Sequence, residues 1–196
     1  MQDAQEIPGP VVSAINETEK VLKFLDAGNV SAAADRRFKI ATWAPDAKVA
    51  LGRVQSSGML VSAVADAFAA TDAALKGADA SASRRAANSL LRSLWRASRG
   101  LRSKRMPERE GLGTSLRSLQ IAVHENDWLE ARRSLSEIRQ SFAEYREAAG
   151  SRCPAAPAEA FAAAFVRLEK TVTRRDPVTC VTAGHELAEA FARLPS

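Results

Sequence analysis

The chain has 196 residues, 46% hydrophobic and 26% charged, with a formal net charge of +5. That is ordinary for a globular protein of one domain or two small ones, long enough to bury a real core. Two cysteines without CxxC spacing exclude a disulfide framework, and two histidines leave little for a metal site.

Residues 1–10 read as a lead-in. Met1-Gln-Asp-Ala-Gln-Glu6 is polar and acidic and lacks the apolar stretch of a signal peptide, and Pro8-Gly9-Pro10 follows it. Taken literally, this opening predicts a cytoplasmic chain; if Met1 heads a mature exported form, export is the expectation instead. Residues 11–45 predict a first helical hairpin. Val21 and Leu25 lead in at helical spacing, Asn29 and Ala33 mark the turn, and Ile40 with Trp43 and Ala44 follow, up to a boundary at Pro45-Asp46.

Residues 46–105 predict a second hairpin, with Leu75, Asp79 and Ser83 at its turn and Leu90 and Leu94 beyond. Its first part, Asp46 to Leu75, is one helix or two, with Gly52 and Gly58 as candidate kinks. The apolar run Gly58 to Asp72 falls short of the ~20 residues of a bilayer crossing and has Asp66 at its middle; it predicts a buried core helix. Gly100 to Gly113 reads as a breaker-rich linker. Residues 106–149 predict a third hairpin, with Leu116, Leu119, Val123, Asp127, Ala131, Ile138 and Phe142 in register. Residues 150–196 predict a fourth, with Phe161, Phe165, Leu168, Val172, Asp176, Cys180, Leu187 and Phe191.

One frame therefore recurs: an aliphatic residue, three spacers, Asp or Asn, three spacers, a small residue. Its central residues Asn29, Asp79, Asp127 and Asp176 lie 50, 48 and 49 positions apart, an internal repeat of about 49 residues. Each predicts an N-cap for the helix that follows, its short oxygen-bearing side chain accepting orphan amide hydrogens. Pro177 suits the first helical position after Asp176. Nothing alternates with period two, so the expected fold is all-α. Four helical hairpins would pack as a bundle or a short α-solenoid. The composition agrees, because Ala, Leu and Arg lead the helix scale, although a GC-rich bacterial genome encodes the same bias. The run His124-Glu-Asn-Asp-Trp-Leu-Glu-Ala131 resembles the turn of tetratricopeptide-type repeats. The likeness spans about a dozen residues, and that family's period is about 34, so it implies shared hairpin chemistry.

Charge is concentrated in one place. Arg84, Arg85, Arg92, Arg96, Arg99, Arg102, Lys104 and Arg105 put eight positive charges in 22 residues without an acid, leaving −3 for the rest of the chain. At 100° per residue Arg85, Arg92, Arg96 and Arg99 form a stripe opposite Ala87, Leu90, Leu94 and Leu101. Such a helix suits nucleic acid, anionic membrane or an acidic protein. The preferred reading is a face neutralised by acids elsewhere, such as Glu144 and Glu147 or Glu186 and Glu189.

Reactive constellations are sparse. His185-Glu186-Leu-Ala-Glu189 lacks the second histidine of a zincin helix, and neither histidine follows a Glu by three. Nucleophile elbows and phosphate loops are missing, and Gly111-Leu-Gly113 follows no strand. Cys180 fills the frame's small-residue slot, which favours packing over redox chemistry. A helix of ~24 Å separates it from Cys153, too far for a bridge. Asp66 and Asp72 sit in the apolar helix; they either reach water at its margin or take an arginine from the basic helix. Trp43, Trp95 and Trp128 read as core or edge packing. No cofactor or metal is expected.

The leading expectation is thus a non-catalytic helical-repeat protein that binds another protein. An anion-binding module acting through residues 84–105 is the alternative, and an enzyme or cofactor carrier with a site inside the bundle is the third.

Overall fold

The computed structural model describes residues 5–55, 57–101, 103 and 105–195. Its helices are α1 (Gly9–Asp26), α2 (Val30–Asp35), α3 (Arg37–Val54), α4 (Gly58–Lys76), α5 (Ala80–Ala97), α6 (Pro107–His124), α7 (Trp128–Ala149), α8 (Ala155–Arg174) and α9 (Pro177–Ala192), with a 3-10 turn at Gly150–Arg152. Among the described residues no strand forms beyond an isolated bridge residue at Glu6, so the fold is all-α.

Four turns share one local geometry. The residues just before Asn29, Asp79, Asp127 and Asp176 are Gly28, Ala78, Asn126 and Arg175, and all are left-handed, with φ of 74°, 54°, 57° and 56°. Their amides donate to the carbonyls of Leu25, Leu75, Val123 and Val172 over 3.1–3.3 Å, closing the preceding helix. The next side chain then opens the following one. Asn29 accepts from the Ala32 amide at 3.0 Å, and Asp127 from the Glu130 amide at 3.0 Å. Asp79 accepts from Ser81 and Ala82 at 2.8 and 3.1 Å, and Asp176 from Val178 and Thr179 at 3.1 and 3.2 Å. The small residues Ala33, Ser83, Ala131 and Cys180 are all buried, where a larger side chain would hold the two helices apart.

The chain divides into two compact units, residues 1–107 and 108–196. In the N-terminal unit α1 packs on α2, α3 and α5, while α4 lies between α3 and α5. Leu22, Leu25, Ile40, Leu51, Leu90 and Leu94 lie in its core. Helices α4 and α5 run antiparallel, since Ser83 donates to the Ala74 carbonyl at 3.1 Å and Thr71 to that of Ala86 at 3.2 Å. A buried carboxylate, Glu17 of α1, receives Lys20 at 2.7 Å and Arg36 at 3.1 Å. Burial alone would raise its pKa, but those two cations outweigh burial and hold it below the usual value.

Three elements depart from the sequence reading. The boundary expected at Pro45-Asp46 falls inside α3, which runs unbroken from Arg37 to Val54. Proline inside a helix costs about 3 kcal/mol, but Ile40, Ala47 and Leu51 keep one buried stripe in phase on both sides of it. The stretch Asp46 to Leu75 takes the two-helix alternative, α3 ending at Val54 and α4 starting at Gly58, and the Gln55 side-chain carboxamide donates to the Ala97 carbonyl at 2.6 Å. The linker expected over Gly100 to Gly113 ends early, because α6 starts with Pro107 at its first position and carries Gly111 and Gly113 as helical residues.

Helix α4 is the third departure. It buries one face (Val64, Ala67, Phe68, Thr71 and Leu75) instead of being a fully buried core helix. Among the described residues it alone has the length and mean hydropathy, 1.4 over 18 residues, of a bilayer-crossing helix, and 22% of that window is buried. Its open face is largely alanine, whose single methyl costs little to expose and favours helix. Asp66 stands exposed on that face, and Asp72 pairs with Arg37 of α3 at 3.1 Å, not with the basic helix.

The C-terminal unit is built from α6 to α9. Ser115 of α6 and Ser141 of α7 stand 3.4 Å apart, and Phe142 of α7 meets Phe161 of α8 with ring centroids at 4.4 Å. Arg167 of α8 reaches Glu186 of α9 at 2.8 Å, and Cys180 of α9 lies 3.2 Å from the Thr171 hydroxyl, so these two helices are antiparallel. Arg109 of α6 stacks on the Phe191 ring at 4.5 Å and donates to the Leu194 carbonyl, and Tyr145 donates to the Pro195 carbonyl at 3.0 Å. Residues 191–195 are thereby tied to this bundle.

Candidate functional site

The two ends of the basic run are held against helix α1. At its start Arg84 donates to the Leu25 carbonyl at 2.7 Å and pairs with Asp26 at 3.3 Å, placing a cation at the negative end of α1. At its end Arg105 pairs with Glu19 of α1 at 2.6 Å and lies over the Trp95 ring at 4.9 Å. Between them Arg85 and Arg96 are exposed while Arg92 and Arg99 are half-buried, opposite the buried Ala87, Leu90 and Leu94. Arg102 and Lys104 lie outside the described residues.

The aromatic and thiol candidates resolve into packing. Trp95 is buried, Trp43 packs half-buried against the N-terminal core, and Trp128 is half-buried at the start of α7. Both cysteines are free thiols. Burial pushes the Cys180 thiol above its usual pKa despite the Thr171 hydroxyl beside it, the opposite of what an activated thiolate needs. Burial and the neighbouring Cys153 push the Tyr145 phenol up to about 12. Among the described residues no group of three or more His, Cys, Asp or Glu is placed to hold a metal ion.

A cavity in the C-terminal unit was not among the expectations from sequence. Helices α6 and α9 come together at Gly113, where a Cβ would sit 3.2 Å from the Phe191 ring. Past that contact, between residues 116–126 and 177–188, lies a cavity of about 500 Å³. Its floor is Leu116, Leu119, Val123, Leu168, Cys180 and Leu187, all buried. Gln120, His124, Asn126 and His185 line it as exposed polar residues. Both histidines of the chain thus line one cavity, although 61 positions of sequence separate them. The local clue was Gly184, a helix-interior glycine with no turn to make. It faces the cavity, and a Cβ there would meet nothing within 4 Å.

Helical packing, a basic face and a histidine-edged cavity therefore stand on their geometry alone: comparison with protein-family models, curated proteins and solved structures found no match for this chain.

Proposed function

We propose that this chain is a non-catalytic interaction protein, assembled from four copies of one helical hairpin, whose surface binds another protein. The observation that carries the reading is the common geometry of the four turns, each with a left-handed residue, a carbonyl closed at the same position and an Asx cap. A scaffold of repeated helical hairpins offers an extended surface more readily than a reactive centre. The raised thiol of Cys180 and the exposed setting of both histidines agree with a protein that performs no group transfer.

The test is affinity capture of the full chain from its native host, read by mass spectrometry and followed by reconstitution with the purified partner. A defined one-to-one or two-to-two complex that persists at 0.5 M salt is the expected result. A second reading, an anion-binding module acting through α5, is favoured by the exposed positions of Arg85 and Arg96. It predicts retention on heparin or nucleic acid at low salt, lost steeply as salt rises, and that outcome would displace the first reading. Stoichiometric metal or a chromophore in the purified protein would displace both in favour of a cofactor carrier.

A further inference from the structure

We propose that the α6/α9 cavity of the C-terminal unit is a binding site for a small apolar monocarboxylate, a molecule with a hydrocarbon body and one carboxylate head. This goes beyond the protein-binding reading and rests on different residues. The volume of about 500 Å³ lies inside the range of small-ligand pockets. A docked helix suits it poorly: a cylinder ~10 Å across occupies roughly 420 Å³ per turn, so the cavity would seat about one turn.

The lining sorts by chemistry. The floor of Leu116, Leu119, Val123, Leu168 and Leu187 offers aliphatic surface to a hydrocarbon body. The polar edge consists of two imidazoles and two carboxamides, all able to donate hydrogen bonds. Among the described residues no Asp or Glu lines the cavity. Hydrogen bonds to an ionised acceptor are about twice as strong as neutral ones, which selects a carboxylate over an alcohol. Gly184 completes the site by omission, since any side chain there would project into the space.

The experiment uses the full chain and sodium decanoate as probe, followed by calorimetry and by displacement of an anilinonaphthalene sulfonate fluorophore. Decanoate should bind with one-to-one stoichiometry, and decan-1-ol at least fivefold more weakly. Gly184→Leu should weaken decanoate at least tenfold while melting at or above the wild-type temperature, because leucine is the better helix former and meets open space. The double variant His124→Ala/His185→Ala should weaken decanoate about fivefold or more and leave decan-1-ol unchanged. Absence of decanoate binding, or undiminished binding by a folded Gly184→Leu variant, would overturn the site. Equal affinity for decan-1-ol would overturn the carboxylate head. A wild-type dimer in sedimentation that Gly184→Leu dissociates would reassign the cavity to contact between copies and overturn the proposal as well.

Discussion

Removing the cap of α5 tests the physical account of the turns most directly. Asp79 accepts two amide hydrogens, from Ser81 at 2.8 Å and Ala82 at 3.1 Å. In Asp79→Ala both amides turn to water and the helix loses its best-placed anion. N-cap deletions cost about 1 kcal/mol, within a range of roughly 0.5–2. Because α5 carries Leu90, Leu94 and Trp95 into the core, fraying at its start is felt by the whole N-terminal unit. For a unit of about 100 residues, 1 kcal/mol corresponds to a melting shift of about 4–8 °C. Asp79→Asn separates the two contributions, since the carboxamide oxygen still accepts and only the charge–dipole part, about 0.3–1 kcal/mol, is lost. Urea titrations followed by circular dichroism at 222 nm should therefore rank wild type, Asp79→Asn, then Asp79→Ala. Equal stability of all three would show that the hydrogen bonds are incidental to the fold.

The same turn makes an opposite prediction. Ala78 sits at φ 54°, a conformation costing an L-residue about 1–2 kcal/mol. Ala78→Gly should stabilise by about 0.5–1 kcal/mol after the extra freedom of the unfolded glycine is deducted, and a lower urea midpoint would contradict this. The Thr179 hydroxyl and amide hold the Asp176 carboxyl below its usual pKa. Its stabilising share is therefore present above the unfolded pKa and vanishes as pH falls through the folded one. The stability gap between wild type and Asp176→Ala should accordingly shrink on acidification, and a gap independent of pH would refute the linkage. Tyr145 is the chain's single tyrosine, so absorbance at 295 nm reads its ionisation alone. With its pKa pushed up to about 12, it should stay protonated through pH 10, and its share of stability should fall as pH rises from the unfolded value towards 12; ionisation near 10 in the folded protein would refute its burial. Under native conditions Ellman's reagent should modify half-buried Cys153 well before buried Cys180, and equal rates would count against that burial.

What could be read without the fold was whatever is decided within about ten residues. An Asx cap, the left-handed residue before it and a small residue one turn later satisfy backbone groups that are neighbours in sequence, so Asn29, Asp79, Asp127 and Asp176 were legible in advance. So was the all-α class, because the apolar period of each segment depends on nothing distant. The resemblance of residues 124–131 to a tetratricopeptide turn is of the same local kind.

Tertiary packing decided the rest. Proline 45 reads locally as a stop, yet the buried stripe of Ile40, Ala47 and Leu51 carries α3 through it, since a continuous apolar contact outweighs one lost backbone bond. Composition made Gly58 to Asp72 look like core, but a helix at a bundle's edge needs one buried face, and alanine tolerates the other side. The two ends of the basic run pair with Asp26 and Glu19 of α1, partners that no local spacing encodes. His124 and His185 looked unrelated because no periodicity encodes which helices become neighbours. Their meeting at one cavity follows from where α9 returns along α6, and that return is set by the summed burial of both helices, not by any residue near either histidine.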